Sequence, residues 1–146
     1  MGAKDDCNQL LRATLPLAEK MLREYGEFLP FGAQMLPDGE IASVGADDGD
    51  DRSRSQNLIG LLQTAFKAGA HDGEVIATAL VYDVRVQPPG AGQKSDAIAL
   101  NLDHRDQYSV TVFFPYMIAD GELALDEPFA SVGDYAIFPS PSPLHA

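Results

Sequence analysis

Between Glu74 and Tyr116 the chain alternates apolar and more polar residues in three successive runs. Even positions are apolar along Ile76, Leu80, Tyr82, Val84 and Val86, with Thr78 as the exception. The pattern returns along Ile98, Leu100 and Leu102, and along Tyr108, Val110, Val112 and Phe114. A two-residue period is that of a strand with one face in a core. Turn-forming residues separate the runs: a loop over Gln87 to Lys94 with Pro88-Pro89-Gly90, then a short turn at Asp103-His104-Arg105-Asp106. Three such strands make an antiparallel meander whose apolar face the rest of the chain must cover. Pro115 donates no ladder bond and is expected to end regular pairing.

A helix is expected from Asp6 to Tyr25. Leu11, Leu15, Ala18, Leu22 and Tyr25 form one helical stripe, widened by Leu10, Leu17 and Met21. Asp5 or Asp6 supplies a cap and Gly26 a stop. Pro16 removes one hydrogen bond and clashes with the carbonyl of Arg12, so a kink or break is expected there, with the main body from Leu15 onward. Phe31 to Leu36, Pro37-Asp38-Gly39 and Glu40 to Val44 read as a hairpin, with Gly32 suited to close approach of the first helix. A second helix over Gln56 to Ala68 places Leu58, Leu62, Ala65 and Phe66 on one side, between Ser55 as cap and Gly69 as stop. After the Asp120-Gly121 turn, Tyr135 to Phe138 reads as a last short strand. Residues 139–146 (PSPSPLHA) read as a Pro/Ser-rich flexible tail beyond a single domain of residues 1–138.

The order is α-β-β-α-β-β-β. Two helices against one face of a largely antiparallel sheet of about five strands make an α+β two-layer domain. This order of elements resembles that of profilin-like and roadblock-type domains. The resemblance implies a sheet flanked by helices. It extends to no sequence motif, so no functional residue follows from it.

Charge narrows the partners. Twenty-two Asp and Glu stand against ten Lys and Arg, for a net charge of −12. Such a surface repels nucleic-acid phosphates and anionic lipids and steers basic proteins toward it. The single cysteine, Cys7, permits no intrachain disulfide, and no apolar run has the length of a signal peptide or a membrane span. A bacterial-type cytoplasmic domain is the expected setting.

Catalytic signatures are missing. The chain has no G-x-S-x-G elbow, no P-loop, no G-x-G-x-x-G and no zinc-type spacing of His and Cys. Asp47, Asp48, Asp50 and Asp51 offer hard oxygen ligands, but the spacing fails an EF-hand: Arg52 stands where Gly is required and Leu58 where Glu is required. That run reads as a solvated loop. His71 and His104 read as surface turn histidines beside carboxylates, and Cys7 as an inert packing residue. No cofactor and no metal are expected.

Two features point to surfaces. If Asp83, Arg85 and Asn101 share the outer face of a hairpin, they form a polar binding surface that His104 and Tyr108 can join. On the same parity, Val75, Ala77, Ala79, Val81, Ala97, Ala99 and Phe113 make a second apolar face. It needs covering by the C-terminal segment or another subunit, so homodimerisation through it is expected. The leading functional expectation is a non-enzymatic protein-interaction module, of the immunity-type inhibitor or regulatory-adaptor kind, for a basic partner. The alternatives are a small-ligand binder or enzyme using the polar set around Asp83, and a purely structural subunit.

Overall fold

The computed structural model describes residues 2–45 and 55–138. The acidic run over Asp47 to Asp51, His145 and the tail over residues 139–146 lie outside them. Two helices, α1 (Ala3–Tyr25) and α2 (Ser55–His71), accompany seven strands: β1 (Phe31–Met35), β2 (Ile41–Val44), β3 (Ala77–Val86), β4 (Ser95–His104), β5 (Tyr108–Ala119), β6 (Glu122–Leu125) and β7 (Phe129–Val132). All strand pairs are antiparallel, in the order β2-β1-β3-β4-β5-β6, with β7 also on β5. The α+β class and the order of elements follow the sequence pattern, with two further strands, β6 and β7, at the far edge.

Local signals account for most boundaries. Gly26 ends α1 at φ 76° and donates its N–H to the Leu22 carbonyl at 2.9 Å. In the β1–β2 turn, Asp38 Oδ1 accepts the Glu40 N–H at 2.9 Å, while Gly39 takes a φ of 90°. Elsewhere the structure differs. Helix α1 runs through Pro16 without a break and starts at Ala3, where Gly2 occupies the cap position. The Thr14 hydroxyl donates to the Leu10 carbonyl at 2.8 Å within this stretch. Gly69 does not stop α2; the helix reaches His71, and Gly73, at φ 75°, makes the left-handed turn.

Pro115 does not end β5. It is the last residue opposite β4, facing Ala97, and from Tyr116 the strand pairs with β6 instead. Residues Val110 to Phe113 pair with β7 on that same edge. A proline is tolerated where one partnership ends and another begins, because its missing N–H costs no central ladder bond.

The register between β3 and β4 decides which residues meet. Ala79 lies opposite Leu102 and Val81 opposite Leu100, so the odd positions of β3 share a face with the even positions of β4 and β5. That face, with Ala33 and Met35 of β1, packs beneath Cys7, Leu10, Ala18 and Leu22 of α1. The expected common outer parity is therefore divided. Ala77, Ala79 and Val81 are core under α1, whereas Ala97 and Ala99 are buried on the reverse face.

Helix α2 covers one corner of that reverse face. Its Leu62 and Phe66 cluster with Val75, Leu80, Ile137 and Phe138. Gly32 is what lets Phe66 settle: a Cβ there would lie 2.6 Å from the ring and 2.5 Å from the Ala79 carbonyl oxygen. Tyr135 to Phe138 form no strand. Instead the chain after β7 folds back, with Gly133 donating to the Ser109 carbonyl at 3.1 Å and the Tyr135 N–H to Ser109 Oγ at 3.2 Å. This C-terminal segment supplies Ile137 and Phe138 to the reverse-face core.

Two glycine substitutions should act in opposite directions in chemical denaturation. Gly32→Ala is expected to destabilise by about 1–3 kcal/mol, through overpacking against backbone and Phe66. Gly60→Ala, on α2 with nothing within 4 Å of its new Cβ, is expected to stabilise by about 0.5–1 kcal/mol.

Candidate functional site

The polar residues singled out in the sequence fall into three places. Asp83 lies opposite Ile98 and therefore on the α1 face, whereas Asn101 lies opposite Leu80 on the reverse face. There the Tyr82 and Thr111 hydroxyls each donate to Asn101 Oδ1 at 3.1 Å. The shared outer surface expected of Asp83, Arg85 and Asn101 is therefore not formed. The cause is the β3–β4 register, which alternation within each strand does not reveal.

His104 and Tyr108 face each other across the β4–β5 turn, at the far end of the α1 face from Asp83. His104 is not a surface histidine; it is 2% exposed. Its Nδ1 accepts the Asp106 N–H at 3.0 Å, which leaves the proton on Nε2, 2.8 Å from Asp6 Oδ2. The imidazole thus ties the first turn of α1 to the β4–β5 turn with both ring nitrogens satisfied. Cys7, beside Asp6 on the helix, is 1% exposed. Burial, followed by the charges of Asp103 and Asp6, pushes its thiol up to about 12. A thiol so held is a packing group rather than a nucleophile. Among the described residues no group of three or more His, Cys, Asp and Glu is placed to hold a metal ion, and no helix is long and apolar enough to cross a membrane.

What does gather around Asp83 is a groove of about 850 Å³. One wall is the C-terminal half of α1, where Leu17, Met21 and Tyr25 repeat every four residues on one stripe. The chain turning from α1 into β1 adds Glu27, Phe28, Leu29, Pro30 and Phe31, while Asp83, Val84 and Arg85 of β3 and Asp96 of β4 close the other side. Gly45, after β2, also reaches it. The apolar wall is open to solvent: Leu17 is 42% exposed, Leu29 57% and Tyr25 72%. Phe28 and Phe31 meet edge to face, with ring centroids 5.9 Å apart.

Asp83 is the group with the most constrained environment in this groove. It accepts the Tyr116 hydroxyl at 2.9 Å. Desolvation holds its carboxyl above the usual carboxylate range, against the lowering effect of that hydrogen bond. Tyr116 is pushed upward in turn, by burial first and then by its bond to Asp83. Among the described residues no lysine, arginine or histidine forms an ion pair with Asp83. The one arginine lining the groove among the described residues, Arg85, points to Asp96, with Nη1 3.4 Å from Oδ1. Among the described residues, Glu27, Asp83 and Asp96 therefore face a single guanidinium, an excess of negative charge.

Of the residues proposed from sequence, Asp83 and Arg85 line the groove; Asn101, His104 and Tyr108 do not. The apolar wall and Tyr116 were missed. Leu17 belongs to the widened stripe of α1, and its place outside the main spacing was the available signal. Comparison with protein-family models, curated proteins and solved structures found no match for this chain.

Two outcomes are expected. In the native protein Cys7 should react with a thiol reagent such as DTNB only at the rate at which the structure opens, and rapidly in denaturant. The second concerns Asp103, which is buried, accepts the Ser109 hydroxyl at 2.8 Å and is raised by desolvation. A carboxyl raised in the folded state binds more protons there than in the unfolded chain. Its contribution is therefore fully present below the ordinary carboxylate value and lost as pH rises through the folded one. Asp103→Asn should therefore be more stable than wild type near pH 7, with the difference shrinking toward pH 3 in denaturant titrations.

Proposed function

We propose that this protein is a non-enzymatic interaction module that engages a basic segment of a partner protein in the groove between α1 and β3, as an immunity-type inhibitor or regulatory adaptor does. The observation that carries this reading is the half-buried carboxylate of Asp83 in an apolar-walled groove, with no cation paired to it among the described residues. A carboxylate drawn partly out of water gains from an opposing charge, and a ligand that brings one lowers the desolvation cost. The exposed side chains of Leu17, Tyr25 and Leu29 give that ligand an apolar surface to cover. The chain's net charge of −12 steers a basic partner toward it.

The cavity volume supports a second reading. At about 850 Å³ the groove lies within the range of small-molecule sites. On this reading the occupant is a small organic cation, held by the same carboxylate.

Affinity purification from the source cell with the full chain as bait distinguishes the two. The protein-partner reading expects stoichiometric recovery of a basic protein, released as salt rises and screening shortens from about 10 Å at 0.1 M toward 3 Å at 1 M. Leu17→Glu and Leu29→Glu should each abolish recovery without lowering thermal stability. Recovery unaffected by both substitutions places the partner elsewhere and refutes the groove as its site.

A further inference from the structure

We infer that the groove recognises arginine in particular: its occupant is a partner segment anchored by one arginine, with the guanidinium on Asp83 and flanking apolar residues on Leu17 and Leu29. This rests on the reading of the groove as a site for a basic segment and names the side chain that decides binding. Three features of the groove argue for arginine over lysine.

The first is its aromatic lining. Tyr25, Phe28 and Phe31 all border the space into which Asp83 opens. A guanidinium stacks on aromatic faces and is weakly hydrated, whereas an ammonium keeps its water shell and gains less from such a wall. The second is the state of Asp83 itself. Tyr116 donates to Oδ1 at 2.9 Å and fixes the carboxylate's orientation, so a rigid planar donor meets an acceptor of fixed direction. The third is Arg85. It shows that a guanidinium is accommodated at this groove, yet it is engaged at 3.4 Å with Asp96, and that pair is more than half exposed on both sides. Among the described residues, Asp83 is left as the deeper charge and has no cation paired to it.

The spacing is consistent with a short segment. Leu17, Met21 and Tyr25 lie on successive turns of α1. Eight residues of helix rise about 12 Å, which three or four residues of extended chain span.

The test uses the full chain and three synthetic peptides of one design, a central residue between leucine pairs with blocked termini. The central residue is arginine, lysine or citrulline, the last being the uncharged isostere of arginine. Binding is read by calorimetry and by NMR shifts at Leu17 and Leu29. The arginine peptide is expected to bind wild type, the lysine peptide several-fold more weakly, and the citrulline peptide about ten- to a hundredfold more weakly. Asp83→Asn should reduce arginine-peptide binding to the citrulline level. If that variant does not fold, the three peptides on wild type decide the matter alone.

Equal binding of the arginine and lysine peptides, or of the arginine and citrulline peptides, overturns the arginine anchor. If Leu29→Glu still weakens all three, the groove reading survives that failure. If no peptide shifts Leu17 or Leu29, both readings fall.

Discussion

The structure depends on a row of small side chains. Ala33, Ala77 and Ala79 lie together on one face of β1 and β3, and all are fully or almost fully buried beneath α1. Alanine lets the helix approach the sheet where larger residues would hold it away. The larger Ile98, Leu100 and Leu102 of β4 then fill the space along its flank. Along β3 this row ends with Val81, and the next residue of the same parity is Asp83. The transition from helix-covered core to groove thus occurs within one strand, over a single pleat. Asp83 is half buried because it is the first position on that row that the core does not close over.

Much of this was legible in the residues. The hydrophobic stripe of α1, Gly26 as its terminator, the Pro-Asp-Gly turn and the alternation of β3, β4 and β5 are local signals, and each marks the element it should. Gly32 was legible as a point of close approach, but the element that approaches is α2 through Phe66, not the first helix. Other features depend on information that no short window holds. Alternation shows that a strand has two faces, but which faces of two strands coincide is set by register. That is why Asp83 and Asn101, which look equivalent, lie on opposite sides. His104 pairs with Asp6, distant in sequence, and so reads as a turn histidine until the chain is folded. Pro115 marks an interruption that the structure resolves by changing partners rather than by stopping.

The polar groups buried at opposite ends of the α1 face illustrate two ways of holding charge out of water. Near the start of α1, Asp6 and His104 satisfy each other. His104 is closed to solvent while Asp6 keeps an exposed edge, and the pair fixes the first helical turn and the β4–β5 turn in place. At the other end Asp83 receives a hydroxyl from Tyr116 but opens into a groove. The chemistry is similar, and exposure separates the fastening from the candidate site.

The fold-back after β7 has a consequence for the order in which the molecule is completed. Phe66 and Leu80 are made early, yet Ile137 and Phe138, which share their cluster, come last among the described residues. A chain emerging from the ribosome therefore presents an unfinished apolar surface on the α2 side until Ile137 and Phe138 have followed, after the helix and central strands of the α1 side. Exposed apolar surface of that kind is what makes incomplete chains prone to associate.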